Sequence, residues 1–254
     1  MRALPKTLIA LAAMVAVLTV ASAQDQKDKE ATVLYEEAGG WDIPLYRGKQ
    51  MPEYNYRFNG TYFWDNTGFR RGDICYGGKM YYNVLMNIDA YRKALYVRYQ
   101  DKVQTWELDR DLIDWFTIMD WLTGQPVKYV NLKGRGVKKA PEGFMEVIHE
   151  GEDCIFRQVV KSYRESVEIS GYNRIGYEDR NYNENVFVFF DYKETFYFLG
   201  RDGKLEKFSS QRFLLNKYPK LKKAIRMQLK YNNWGDMPLK IWCKNIMNYV
   251  ESAK

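Results

Sequence analysis

The sequence predicts an α+β protein: a mainly antiparallel β-sheet of meandering hairpins, barrel-like if its edges meet, followed by two C-terminal α-helices. Three observations predict this. Met80, Tyr82, Val84, Met86 and Ile88 alternate with Tyr81, Asn83, Leu85, Asn87 and Asp89, a period of two sustained over ten residues. Gly77-Gly78 and Asp202-Gly203 each lie between strand-like runs, where a tight hairpin needs positive backbone angles. Beyond Phe208 the period lengthens, with Leu221, Ile225 and Leu229 recurring every four residues.

The elements divide into four segments. Residues 1–23 read as a secretory signal: Arg2 and Lys6, an uncharged run from Thr7 to Val20, and Ala21-Ser22-Ala23, the small-x-small pattern that precedes cleavage. The apolar run falls short of the roughly 20 residues a spanning helix needs. Cleavage is therefore expected between Ala23 and Gln24. Residues 24–60 are polar and broken by Gly39-Gly40, Pro44 and Pro52, and read as an extended lead-in.

Residues 61–208 form the β domain. Phe69–Tyr76 turns at Gly77-Gly78 into the alternating strand, and Ala94–Gln100, Val103–Leu108 and Ile113–Met119 extend the meander. A basic loop, 132–143, precedes a hairpin of Phe144–His149 and Cys154–Tyr163. Asn185–Phe190, Thr195–Leu199 and Leu205–Phe208 complete the sheet. In the C-terminal segment, 209–254, Ser209 or Ser210 can cap a helix. An amphipathic helix starts near Pro219, and Pro238 opens a second one carrying Leu239, Trp242, Ile246, Tyr249 and Val250.

The segment GDICYGGKMYYNVLMNIDAYRKALYVRYQ, followed by FYFLGRDGKLEKF, FLLNKYPKLKKAIR and a closing NYV, resembles a family of uncharacterised exported proteins of Gram-negative bacteria. The resemblance spans most of residues 60–250. It implies an exported protein with this architecture and no particular activity.

Charge and composition narrow the function classes. The formal net charge is +7, of which Arg2 and Lys6 of the signal supply two. A basic chain attracts nucleic acid, anionic lipid or acidic polysaccharide, and export sets nucleic acid aside. After signal removal no run approaches spanning length. Cys75, Cys154 and Cys243 have no metal-like spacing, and His149 is the only histidine, so no zinc motif exists. One disulfide with one free thiol, in any of three pairings, and three buried thiols stand as alternatives.

No catalytic or cofactor signature is specific enough to name a reaction. Arg71-Gly72-Asp73 and Asn59-Gly60-Thr61 match short motifs that occur by chance. The loop Lys133–Lys139 lacks the helix that should open behind a phosphate cradle. Asp109, Asp111 and Asp114, or Glu178, Asp179, Asn183 and Glu184, lack calcium-loop spacing. His149 could serve as a base but brings no recognisable partner.

Aromatic residues are the compositional excess, with 21 Tyr and seven Trp. Strand packing accounts for most of them. Trp41, Tyr62 and Trp64 fall in loop-like sequence and are the candidate contacts for a protein partner or glycan. Lys222, Lys223, Arg226 and Lys230 form a basic helix face, the candidate contact for an anionic surface. The expected function is therefore an exported periplasmic or cell-surface binding or envelope-assembly module, non-enzymatic. The alternative is a carboxylate-based hydrolase acting on an envelope polymer or glycan.

Overall fold

A computed structural model describes residues 27, 29–52, 58–100, 102–165 and 188–253. Residues 1–23, expected to be a signal, and Gln24 lie outside the described residues, as do Glu178, Asp179, Asn183 and Glu184.

The expected antiparallel sheet is present and open. Its strands are β1 (Lys49–Gln50), β2 (Phe58–Asn59), β3 (Arg70–Tyr76), β4 (Lys79–Asp89), β5 (Ala94–Arg98), β6 (Thr105–Glu107), β7 (Ile113–Met119), β8 (Pro126–Val130), β9 (Met145–His149), β10 (Cys154–Glu165), β11 (Val188–Leu199) and β12 (Leu205–Phe208). They run in the order β1-β6-β5-β4-β3-β7-β8-β9-β10-β11-β12, with β2 adding a short parallel pairing to β11. Two meanders thus meet where β3 pairs with β7. Strands β1 and β12 end the order unpaired with each other, so the barrel-like closure does not form. The sheet does curl. Lys161 N–H donates to the Ala90 carbonyl, and Trp64 N–H to that of Ile88.

Among the described residues four helices flank the sheet: α1 (29–39), α2 (Gln211–Lys217), α3 (Lys222–Tyr231) and α4 (Leu239–Ser252). The lead-in expected to be extended therefore carries a helix and two 3-10 turns, Gly40–Asp42 and Pro44–Tyr46. Leu45 is fully buried there and nails the lead-in to the sheet. A short helix, α2, precedes the two expected at the C-terminus. Strand β8 adds to the strands expected from the sequence, because Val130 and Tyr129 find buried places opposite β7 and β9. Strand β11 runs unbroken through Asp191-Tyr192-Lys193-Glu194, where two strands were expected, because β10 pairs with it over its whole length.

Two cores result. The first packs Leu45, Trp64, Ile74, Met86, Leu95, Phe116 and Tyr129. The second packs Phe196, Phe198 and Phe208 of the sheet against Leu214, Ile225, Trp242 and Ile246 of the helices. The candidate cleft borders the first, at Trp64, Ile118 and Tyr129.

Candidate binding cleft

Cross-strand partners share a sheet face, and one row of partners crosses most of the sheet. It runs Tyr81, Ile74, Phe116, Tyr129, Glu146, Arg157, Phe196 and Phe208. Six of the eight side chains are aromatic or aliphatic. The other two, Glu146 and Arg157, form an ion pair at the position where the first core gives way to the second.

Glu146 is only 2% exposed. Arg157 donates Nε and Nη2 to its Oε2, at 2.8 and 2.6 Å. Lys240, at the start of α4, pairs with Oε1. Arg157 Nη1 also reaches Glu194 Oε2 at 3.4 Å, and Tyr192 donates its hydroxyl to the same oxygen at 3.1 Å. The guanidinium carbon sits 5.8 Å from the centre of the Trp64 ring, a cation–π contact. Burying a carboxylate costs several kcal/mol unless cations and hydrogen bonds compensate it. Here two cations from different elements do so, and α4 is thereby tied to the sheet.

Above this pair opens a cleft of about 190 Å³, lined among others by Trp64, Asp65, Arg70, Trp121, Tyr192 and Lys240. Its lip is the β7–β8 turn. Asp120 Oδ1 accepts the N–H groups of Leu122 and Thr123, at 3.0 and 2.8 Å, which fixes the turn and throws Trp121 and Leu122 outward. The Thr123 N–H bond, foremost, holds the Asp120 carboxyl below its usual range. Trp121 is 61% exposed and Tyr192 54%. Burial pushes the Tyr192 hydroxyl up to about 12, so it stays protonated as a donor at neutral pH. The cleft offers aromatic faces, carboxylates and cations together.

The sequence-chosen aromatics separate. Trp64 is buried at 6% exposure and forms the inner wall of the cleft, not a surface anchor. Its edge meets Tyr129 at 5.4 Å. Tyr62 is partly buried against Phe63 and Phe190. Trp41 is 54% exposed in the first 3-10 turn, away from this lining. On α3, Lys223, Arg226 and Lys230 are exposed, whereas Lys222 is half-buried and donates to Asn216 Oδ1.

Other motifs resolve into structure. Arg71-Gly72-Asp73 lies inside β3, with Gly72 pressed on the Thr117 carbonyl and Asp73 accepting from the Asn83 N–H. His149 is buried, and its Nε2 lies 3.0 Å from Glu251 Oε1 at the far end of α4. Asp109 caps a 3-10 turn, and Asp114 accepts from the Cys75 thiol. All three cysteines are free thiols. Cys243 is buried in the helical core, which pushes its thiol up to about 12.

Glu146, Arg157, Tyr192 and Lys240 were not singled out from the sequence. One signal existed: in Cys154–Glu165 the inward phase reads Ile155, Arg157, Val159, Lys161, placing cations at core positions. A charge in the buried phase of a strand requires a partner.

The fold and cleft define an open antiparallel-sheet protein whose C-terminal helices close one side of an aromatic, charged recess. No family model, curated protein or solved structure matches the chain.

Proposed function

We propose that this chain is an exported, non-enzymatic binding module that holds one sugar unit of an envelope glycan in the Trp64–Trp121–Tyr192 cleft. The observation that carries the reading is the composition of that cleft: aromatic faces beside the carboxylate of Asp65 and the cations Arg70 and Lys240. Sugar rings stack their apolar faces on aromatic rings while their hydroxyls bond to charged groups. Its volume of about 190 Å³ lies below the roughly 300–1,000 Å³ of pockets that enclose whole small molecules. One unit of a polymer fits such a recess, with the rest of the chain outside. Glu146 has both oxygens engaged by cations, which suits it to holding the site rather than to transferring protons. The expected N-terminal signal supports a site of action among envelope polymers.

Calorimetric titration of residues 24–254 with soluble oligomers of N-acetylglucosamine and, separately, of glucose tests this. Saturable binding to at least one series is expected, weakened tenfold or more by Trp121→Ala with the melting temperature unchanged. Absence of binding to both, or binding indifferent to Trp121→Ala, would remove the proposal.

One observation favours the hydrolase reading. Glu36 of α1, in the lining of a second cleft of about 200 Å³, has its carboxyl raised, first by burial and further by the charge of Asp73. Two carboxylates in unlike environments are the acid–base pattern of glycosidases. Glycan cleavage lost in Glu36→Gln would establish that reading instead.

A further inference from the structure

A separate cleft, of about 670 Å³, opens at the other end of the first meander and is lined by Arg47, Lys49, Arg92, Lys93 and Arg110. These cations come from three chain segments, and each segment is fixed by its own device. Arg47 and Lys49 flank Gly48, whose Cα lies so close to the Glu107 carbonyl that any side chain would overlap it. Arg92 and Lys93 sit in the β4–β5 turn. The fully buried carboxylate of Asp89 accepts the N–H groups of Tyr91 and Arg92, at 2.9 and 2.7 Å, and Lys93 adopts a left-handed φ of 60°. Arg110 opens the 3-10 turn capped by Asp109.

Four of these cations are held there without an ion pair. None of Arg47, Lys49, Lys93 and Arg110 forms an ion pair among the described residues. Three carboxylates, Glu107, Asp109 and Asp111, also line the cleft, so these four unpaired cations by themselves outnumber the acids. The field reaches beyond the lining: Glu142 has its carboxyl held below the usual range, first by its bond to Lys133 and its charge, then by the charges of Arg110 and Lys93. Clefts lined by an excess of one sign focus that field and concentrate counter-charged ligands.

We infer that this cleft binds a phosphomonoester group. A phosphate monoester carries about −1.5 to −2 charges near neutral pH and three acceptor oxygens, which suits the excess of cations and the arginine donors. The volume lies within the roughly 300–1,000 Å³ range of small-molecule sites, so the group that carries the phosphate is accommodated as well. This cleft shares no lining residue with the aromatic one, and either assignment can fail alone.

The test is titration of residues 24–254 at low ionic strength with glucose 6-phosphate, glucose, inorganic phosphate, and vesicles of phosphatidylcholine with or without phosphatidic acid. Glucose 6-phosphate should bind at least tenfold more tightly than glucose. Arg47→Glu with Lys49→Glu, both exposed, should weaken it tenfold or more at an unchanged melting temperature. Lys223→Glu with Lys230→Glu, the same charge change on α3, should alter it less than twofold. Inorganic phosphate binding as well as the sugar phosphate marks a free-phosphate site, and preference for the phosphatidic acid vesicles marks a lipid headgroup. Equal affinity for glucose and its phosphate with no response to either phosphate source, or equal losses in the two double variants, would overturn the assignment.

Discussion

Glu146 and Arg157 occupy partner positions of β9 and β10 in a row of otherwise uncharged side chains, and Lys240 completes the pair from α4. Removing one member of a buried pair strands the other in low dielectric, at a cost of about 3–5 kcal/mol. Glu146→Ala should therefore destabilise the chain by about that amount in urea unfolding, whereas Glu194→Ala, on a partly exposed residue, should cost under about 1 kcal/mol. Trp242 offers a contrast within the helical core. It is fully buried, yet its Nε1–H meets no acceptor among the described residues. Trp242→Ala should cost about 3–5 kcal/mol through the cavity it leaves. Trp242→Phe keeps most of the volume and removes an unsatisfied donor, so its cost should be well below half of that.

At the level of elements, the seam between β3 and β7 joins the two meanders, and Gly72 is what lets it close. A Cβ at that position would overlap the Thr117 carbonyl. Gly72→Ala should force the strands apart, cost about 1–3 kcal/mol, and accelerate amide exchange across Ile74, Trp115 and Phe116 before other parts of the sheet. Gly72 was legible in the sequence only as part of a chance tripeptide. Its role comes from a strand 45 residues away, which no local pattern reports. The β10–β11 hairpin teaches the same lesson from the other side. Asp191-Tyr192-Lys193-Glu194 has turn-like composition, but it faces Val159–Ser162 in register, and cross-strand pairing overrides the local preference. The alternating strand β4 and the Gly77-Gly78 turn were readable because their signals are local and periodic.

For the whole molecule, α1 is held to the sheet through Glu36, whose Oε1 accepts the Tyr82 N–H at 3.1 Å, and through Lys29 over the Tyr82 ring. Burial raises the Glu36 carboxyl above its ordinary 4.5, so the folded state binds this proton more tightly than the unfolded chain does. The Glu36 contribution is then most favourable below pH 4.5 and declines as pH rises through the raised value. Glu36→Gln keeps the acceptor and removes the titration. Its melting temperature relative to the unsubstituted chain should rise between pH 4 and pH 7; a constant difference would place the Glu36 carboxyl in an unperturbed setting. By itself the sequence determined the antiparallel hairpins, the helical C-terminal segment and the aromatic excess, since hydrophobic period, turn chemistry and composition are local quantities. Tertiary structure alone decided that the sheet stays open, that the lead-in becomes a helix, and that Trp64, Arg157, Tyr192 and Lys240 meet in one cleft. Those outcomes depend on register between distant strands, and a shift of one residue would send every side chain to the other face.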